Sequence, residues 1–241
     1  MISTTLKGAD PHEYDHSHPD LAGGWLRASV FGAMDGLVSN IALIAGIGAA
    51  GANAQTVVLT GAAGLVAGAF SMALGEYASV KTANEQVDSE LEIERQAHAR
   101  NPEGEENELV LNFIEMGMAE KTARFAAAEV HQNKEQAARI HIAQELGVDP
   151  DSKPSPWVAA SSSFAMFATG AFIPLIPYAL GFESLALGLG VGGVGLLVAG
   201  GLAARFTRKS WWRSALRQLF FGAIAVTATY LVGSLLGVGG A

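Results

Sequence analysis

An aspartate interrupts the first long apolar segment of the chain. The segment runs from Trp25 to Gly51, and Asp35 is the only charged residue in it after Arg27. At about 1.5 Å of rise per helical residue, Asp35 lies about 12 Å beyond Arg27, close to the centre of a hydrocarbon core about 30 Å thick. An ionised Asp at that depth costs about 2.5 to 3.5 kcal/mol, so we expect it to face protein, water or a cation rather than lipid. The alternative is a protonated Asp hydrogen-bonded inside a helix bundle.

A methionine in the second apolar segment matches Asp35 in depth. Met72 lies about 13 Å of helix before Lys81, where that segment becomes polar. A carboxylate and a thioether suit a transition divalent cation, because oxygen supplies charge and sulfur discriminates against Mg²⁺ and Ca²⁺. Ser39, one turn from Asp35, would add an oxygen ligand, and Glu76, one turn from Met72, would hold the ion lower down or accept a proton. Taken alone, the methionine fits ordinary packing and Glu76 fits an interfacial residue.

Ligand-type side chains recur at one-turn spacing in the polar stretch that follows. They form three groups: Glu90, Glu94 and His98; Glu105 and Glu108; and His141 and Glu145. Residues three or four apart share one face of a helix, and carboxylates on facing helices are how helical bundles bind iron and manganese. Glutamate pairs are also common on solvated surfaces, which is the alternative interpretation.

Five apolar stretches are long enough to cross a membrane. They cover residues 25 to 50, 56 to 80, 157 to 180, 184 to 204 and 214 to 238. Lys and Arg cluster at one set of segment ends, whereas the connectors 51 to 55 and 181 to 184 carry none. The positive-inside rule therefore predicts a multi-pass protein with a cytosolic N-terminus and an extracytoplasmic C-terminus.

The composition agrees with a membrane protein and limits the chemistry. Of 241 residues, 50% are hydrophobic and only 16% are charged, and the absence of Cys excludes disulfides and thiolate metal sites. Residues 82 to 151 hold 16 of the 23 Asp and Glu but 6 of the 15 Lys and Arg, a local balance of 6 − 16 = −10. Such a field attracts cations and disfavours nucleic acid, so we expect no nucleic-acid partner.

These features divide the chain into four parts. Residues 1–24 form a polar tail that we expect to be disordered, without the apolar core of a secretory signal. Its histidines could bind metal loosely, but scattered histidines are more often simply solvated: His12, His16 and His18. Residues 25–81 hold the first two membrane helices, residues 82–152 form an acidic metal-binding helical domain (the insert), and residues 153–241 hold the last three membrane helices.

The insert is predicted to contain three helices. No Gly or Pro follows the second membrane segment until Pro102, so its helix should continue into the cytosol as a stalk. Amphipathic stretches at 105–118 and 121–146 should form the other two helices, with Gly117 and Gly147 suited to C-terminal caps. The third membrane segment contains Pro174 and Pro177, which predict a kink near its outer end.

Three motifs in this order resemble those of the vacuolar iron transporter family. They are MDGLVSNIALIAG, which contains Asp35, GAFSMALGEY, which contains Met72, and FIPLIPY, with the acidic insert between the second and the third. The resemblance covers residues 22 to 238 and is to a bacterial-type member. It implies a homodimer with five membrane helices per subunit, which exports Fe²⁺ and often Mn²⁺ from the cytosol in exchange for protons. The path in that family lies between the two first helices.

The resemblance also assigns individual residues. Asp35 and Met72 fall on the intramembrane metal positions of the family, and four insert residues fall on its metal-binding glutamates: Glu94, Glu105, Glu108 and Glu145.

The chain departs from the family pattern at several ligand positions. A membrane glutamate of the plant members is Gly64 here, and Glu76 is a candidate to replace part of its role. One glutamate position of the insert is Ala97, and a methionine pair is replaced by His141 and Ile142. His98 and His141 are therefore candidate substitute ligands.

We thus expect an all-α membrane protein with five transmembrane helices and a three-helix acidic cytosolic insert. It should be a metal transporter rather than an enzyme, with no resident cofactor, and its transported or bound ions should be Fe²⁺ and Mn²⁺, with Zn²⁺ or Co²⁺ as alternatives. It should form a homodimer in contact with membrane lipid, in the plasma membrane if the source is bacterial. Two rival hypotheses are a membrane-anchored carboxylate protein that binds or oxidises iron, and a passive cation channel.

Overall fold

The structure, a computed structural model, describes residues 25–207 and 209–237. The N-terminal tail with its three histidines lies outside the described residues. In chain order the helices are α1 Trp25–Ala49, α2 Ala54–Arg100, α3 Pro102–Glu115, α4 Glu120–Val130, α5 Lys134–Leu146, α6 Pro156–Phe172, α7 Ile176–Ala179, α8 Leu185–Thr207 and α9 Trp211–Gly237. A 3₁₀ turn at Ile173–Leu175 joins α6 to α7.

Five helical segments are long and apolar enough to cross a membrane, as predicted. They are α1, the apolar first part of α2, the Pro156–Ala179 segment, α8 and α9. Along each of them apolar side chains are exposed on the protein surface, among them Leu74, Val194 and Leu235. Lipid is the solvent that such a surface requires, and the chain is an all-α multi-pass membrane protein.

The central helix of the membrane part is α1, which contacts α2, α6, α8 and α9. Glycines allow its closest approach, to α6. A Cβ on Gly36 would collide with the carbonyl oxygen of Phe167, and a Cβ on Gly170 would collide with that of Ala33. The two backbones therefore touch where each helix presents a glycine to the other, as is typical of membrane helix pairs.

A side-chain hydrogen bond ties α9 to α1 on another side. Thr229 Oγ1 donates to the carbonyl oxygen of Ala42 at 2.7 Å. One turn further along α9, Gly233 lies against the backbone of Gly46. Contacts of this kind hold membrane helices together where the hydrophobic effect provides little drive.

The proline-containing end of the third span is irregular, as predicted. The α-helix stops at Phe172, passes through the 3₁₀ turn that contains Pro174, and resumes as α7 with Pro177 in its first turn. Proline lacks the N–H of a regular helical bond, which accounts for the change of helix type.

Helix α2 continues without a break well beyond its apolar part, to Arg100, as predicted for the stalk helix. Asn53 caps its start by accepting from the Thr56 N–H, and Asn101 ends it and caps α3 by accepting from the Gly104 N–H. The base of the stalk is fixed to the residues that lead into α6. Asn84 Nδ2 donates to the Pro154 carbonyl oxygen at 2.9 Å, and Lys153 forms an ion pair with Asp88.

The predicted helix at 121–146 is divided in the structure. It breaks after Val130, and Asn133 caps the new helix α5 by accepting from the Gln136 N–H. The expectation of one continuous helix was therefore wrong, and three short helices follow the stalk. Gly117 and Gly147, with φ of 97° and 65°, lie just past the ends of α3 and α5, as predicted for C-terminal caps.

Two small cores hold the insert together. Helices α3 and α4 share a cluster that includes Leu109 and Phe113. Helix α5 folds back onto the stalk, where Leu91 packs against Ala138 and Ile142. The second contact brings the polar side chains of α5 against those of α2.

Candidate metal centre

Asp35 occupies a partly covered face of α1. Its side chain is half-buried, and Ser39 Oγ donates to its Oδ1 at 3.1 Å, so the predicted one-turn pairing is present. Phe31, one turn earlier, and Ser39, one turn later, are exposed. A stripe with a carboxylate at its centre, formed by Phe31, Asp35 and Ser39, therefore lies on the surface of the chain, within a span.

Met72 has apolar neighbours. Its side chain packs against the buried cluster of Ala69, Phe167 and Ala171, where α2 meets α6. The proposed pairing of Met72 with Asp35 around one ion stays a prediction.

Glu76 forms an ion pair with Arg27, which joins α2 to the start of α1. The glutamate side chain is only 10% exposed, whereas the arginine side chain is 66% exposed. Glu76 is therefore held at one end of the bundle, and a cation that used its carboxylate would have to compete with Arg27.

Neighbouring side chains leave no room for a side chain at Gly64. A Cβ at this position would lie 2.6 Å from Leu43 Cδ2 and 3.3 Å from Asn40 Oδ1. The Asn40 side chain is buried, and its Nδ2 donates to the Ala171 carbonyl oxygen at 2.5 Å, while its Oδ1 has no hydrogen-bond partner among the described residues. Leu43 and Asn40 thus occupy the room that a glutamate side chain at position 64 would need.

The insert brings histidines and carboxylates together between α2, α3 and α5. The ligand atoms of Glu94, His98, Glu105 and His141 lie within 4.8 Å of one another. Glu94 Oε1 lies 3.1 Å from His98 Nε2 and 3.2 Å from His141 Nδ1, and Glu105 Oε2 lies 4.0 Å from His141 Nδ1. Four of the six insert ligands predicted from the sequence therefore form one cluster.

The other two lie at its edge. Glu145 Oε1 is 3.9 Å from His141 Nδ1, and Glu108 is close enough to Glu145 to help raise the pKa of that carboxyl, after burial itself. Glu145 thus approaches His141 as closely as Glu105 does, and Glu108 lies beside Glu145.

The central atoms are buried but not hydrogen-bonded. Glu94 Oε1, His98 Nε2 and both ring nitrogens of His141 lack a hydrogen-bond partner among the described residues. The short distances therefore join atoms whose lone pairs and N–H groups are not aligned with one another. Buried polar atoms are nearly always paired, so unpaired ligand atoms that converge on one point have the arrangement expected of an ion-binding site.

Burial and mutual repulsion disfavour the charged forms of these groups. Burial raises the pKa of Glu94 to about 7, and the neighbouring carboxylates of Glu145, Glu105 and Glu108 add to the shift. Burial also lowers the pKa of His141 to about 4, assisted by His98 and His131, and lowers the pKa of His98. Neutral imidazole is the form that binds metal, and a divalent cation would restore the charge of Glu94.

A third histidine, which the sequence analysis missed, joins the cluster. His131 lies in the turn between α4 and α5, and its ring stacks on His98 with a centroid distance of 5.0 Å. In a continuous helix, positions 131 and 141 would point about 80° apart around the helix axis. Ten residues rotate by about 1,000°, which is about 80° short of three full turns. The signal was available in Asn133, a residue type that favours a new N-cap and hence a break just before it.

Comparison with known proteins places this architecture in a family. The VIT family model matches residues 26–234, nearly all of the described chain. The chain belongs to the VIT family. It is similar to the vacuolar iron transporter of Acanthamoeba castellanii, with 38% identity over 88% of this chain and 78% of that protein.

Plant members of the VIT family are also similar. Vacuolar iron transporter homolog 3 of Arabidopsis thaliana is 32% identical over 88% of this chain and 84% of its own length. Vacuolar iron transporter 1 of the same plant is 28% identical over 89% of this chain and 87% of its own length. VIT family members are transporters, and this chain is accordingly a transporter and not an enzyme.

Proposed function

We propose that this chain exports Fe²⁺, and Mn²⁺ as a second substrate, from the cytosol in exchange for protons. The observation that carries the proposal is the half-buried Asp35 carboxylate on the surface of a membrane-spanning helix, with Ser39 as its hydrogen-bond donor. A carboxylate in that position is costly against lipid and is expected to serve an ion or proton pathway. The relatives named vacuolar iron transporters indicate iron as the ion.

The Asp35 stripe supports a homodimer. A second copy packed against α1 would cover the uncovered carboxylate and place two Asp35 side chains on either side of one path. Two carboxylates and two serine hydroxyls would then offer oxygen ligands to a divalent cation. Met72 is the proposed sulfur ligand, which would discriminate against Mg²⁺ and Ca²⁺.

Proton coupling would follow from competition at the same carboxylates. A proton that arrives from the far side and a metal ion from the cytosol cannot both occupy Asp35, since metal binding requires the deprotonated form. An inward proton gradient would therefore drive release of the metal. Glu76 is a second candidate proton acceptor, at the end of the bundle where it pairs with Arg27.

The orientation proposal is supported by contacts at that end of the bundle. The pairs Arg27–Glu76 and Lys153–Asp88 connect the start of α1, the stalk and the residues before α6. Lys81 lies between them on α2, so basic residues that flank three spans share one end with the insert. By the positive-inside rule this end is cytosolic, with the C-terminus extracytoplasmic.

The insert is proposed to collect cations beneath the path. Its net charge of −10 raises the local concentration of cations, and its buried cluster supplies ligands at the entrance. Glu94, Glu105 and the two histidines His98 and His141 would hold an ion before transfer, with Glu108 and Glu145 guiding it in.

Metal uptake into sealed liposomes tests the proposal. Purified protein is reconstituted with a trapped metal-sensitive dye, and Fe²⁺ and Mn²⁺ entry is measured with and without a pH gradient. We expect gradient-dependent uptake that Asp35→Asn abolishes. Glu183→Gln, which removes an exposed carboxylate from the connector before α8, is the matched control and should transport normally.

The outcomes separate the rival functions. Uptake that ignores the pH gradient would indicate a passive channel. Full uptake by Asp35→Asn would contradict the proposed path through Asp35. No uptake by the parent protein would leave the spans as an anchor for the insert.

A further inference from the structure

Three imidazole rings meet at one place in the insert. His98 lies on the stalk, His131 in the turn after α4, and His141 on α5. Their ring centroids are 4.7 to 5.4 Å apart, and one nitrogen of each lies within 4.8 Å of the others. Three separate elements of the chain thus deliver the three histidines of the described residues to a single point, which we call the histidine triad.

The nitrogens of the triad are available as ligands. His131 Nδ1 lies 2.9 Å from the Ala127 carbonyl oxygen, which can only accept, so Nδ1 carries the proton and Nε2 keeps its lone pair. That Nε2 is buried and has no hydrogen-bond partner among the described residues, like His98 Nε2 and both nitrogens of His141. The His98 and His141 side chains are 4% and 0% exposed. A backbone carbonyl that fixes the tautomer of a ligating histidine is a common feature of metal sites.

The spacing of these nitrogens suits a small tetrahedral ion. Zn²⁺ binds histidine nitrogen at about 2.0 to 2.1 Å, which places two nitrogens about 3.3 Å apart in a tetrahedral site. The largest separation in the triad is 4.8 Å or less. Each nitrogen would therefore move by about 1 Å to reach this spacing. The stacked rings of His98 and His131, whose planes are 26° apart, would also turn so that both lone pairs face the ion.

We propose that the histidine triad is a three-nitrogen metal site that prefers Zn²⁺ or Co²⁺ to Mn²⁺. Imidazole nitrogen favours ions late in the first transition series, whereas Mn²⁺ binds nitrogen weakly and prefers oxygen. The site differs in this preference from the carboxylate-rich group around Glu94 and Glu105. This proposal rests on the geometry of the insert and does not depend on metal transport by the chain.

The two groups share His98 and His141. An ion held by the triad uses both imidazoles, so the carboxylate-rich group then has only Glu94 and Glu105 left. Binding of Zn²⁺ at the triad should therefore weaken Mn²⁺ binding in the insert, although the two ions have different preferred ligands. Because the insert is proposed to collect ions at the entrance of the path, bound Zn²⁺ would then inhibit the uptake of Mn²⁺.

The test uses the full-length chain in detergent with its tail histidines replaced by glutamine. The chain has six histidines, and His12, His16 and His18 are in the tail, so the triad then holds all that remain. Co²⁺ is titrated while the visible absorption of tetrahedral Co²⁺ is recorded, and Zn²⁺ then displaces it. X-ray absorption of the Zn²⁺ form counts the imidazole ligands.

His131→Asn is the decisive variant. The asparagine amide reproduces the Nδ1 donor to Ala127 but provides nothing at the position of Nε2. In the parent we expect one tight site with three imidazoles. In the variant we expect Co²⁺ and Zn²⁺ affinity to fall by more than about tenfold, because removing even a group that only hydrogen-bonds to a ligand costs about tenfold or more. Gln132→Ala, an exposed neighbour in the same turn, is the control and should bind as the parent does.

Two outcomes would overturn the proposal. One is unchanged Zn²⁺ affinity in His131→Asn with its fold intact by thermal melting. The other is an X-ray absorption spectrum with fewer than three imidazoles, which would place the ion on the carboxylate-rich group. A parent that binds Zn²⁺ through three imidazoles but fails to transport would contradict only the transport proposal.

Discussion

Glu94 Oε1 and His141 Nδ1 lie 3.2 Å apart on α2 and α5, and neither atom has a hydrogen-bond partner among the described residues. Such a pair has the spacing of a salt bridge, but the pKa values of the two groups disfavour opposite charges on them. The pKa of Glu94 is raised to about 7 and that of His141 is lowered to about 4, both chiefly by burial. At neutral pH the imidazole is therefore uncharged and the carboxyl is close to half protonated.

Metal binding in the insert should release a proton from Glu94. Below pH 7 the carboxyl carries a proton that a divalent cation must displace, whereas His141 is already neutral and releases none. We expect release of about one proton at pH 6 and close to none at pH 8, with affinity rising up to about pH 7 and then levelling. Calorimetry in buffers of different ionisation enthalpy measures the proton count.

Glu94→Gln is the matched variant for this measurement. It should bind metal more weakly and lose most of the pH dependence, because its amide has no proton to release. Equal proton release at pH 6 and pH 8 in the parent would contradict the assignment to Glu94.

A single cysteine at position 39 should cross-link two protomers. The chain contains no cysteine, so Ser39→Cys introduces a unique thiol on the Asp35 stripe. If a second copy covers this stripe, mild oxidation in the membrane gives a disulfide-linked dimer on a non-reducing gel. Leu235→Cys on α9, whose side chain is 78% exposed, is the control and should stay monomeric. Dimers from Leu235→Cys but not from Ser39→Cys would place the interface elsewhere.

The sequence predicts the membrane spans and most helix ends well because their signals are local. Spans follow from apolar length, and the breaks at Pro174, Gly117 and Gly147 follow from residues with restricted or left-handed backbones. The one-turn pair of Asp35 and Ser39 follows equally from helical spacing. Each of these features depends on residues close together in the chain.

The site in the insert was only partly predictable because it depends on how separate helices meet. Glu94, His98 and His141 were identified from spacing within helices, but nothing local shows that α5 folds back onto the stalk. His131 was missed because the alanine-rich periodicity continues through position 131, which obscured the break that Asn133 introduces. Residues in turns join a site through tertiary packing, which hydrophobic periodicity does not record.

The ion pair between Arg27 and Glu76 allows the role of the glutamate to be tested. Glu76→Gln removes the carboxylate, whereas Arg27→Gln leaves it in place without its partner. If Glu76 accepts protons or holds the metal, Glu76→Gln should lower gradient-driven uptake several-fold and Arg27→Gln should not. Equal uptake by the two variants, in the same liposome assay, would show that the pair only links α1 to α2.

Close approach of α1 and α6 should make Gly170 intolerant of a methyl group. A Cβ at this position would collide with the Ala33 carbonyl oxygen, which is backbone and cannot move aside without shifting α1. Gly170→Ala should therefore destabilise the protein by about 1 to 3 kcal/mol, the usual cost of overpacking, and lower its melting temperature in detergent. Gly75→Ala on α2 is the control, because a Cβ there meets nothing within 4 Å and alanine favours a helix. Since α1 carries Asp35, any folded Gly170→Ala protein should also transport more slowly, whereas an unchanged melting temperature would contradict the observed crossing of the two helices.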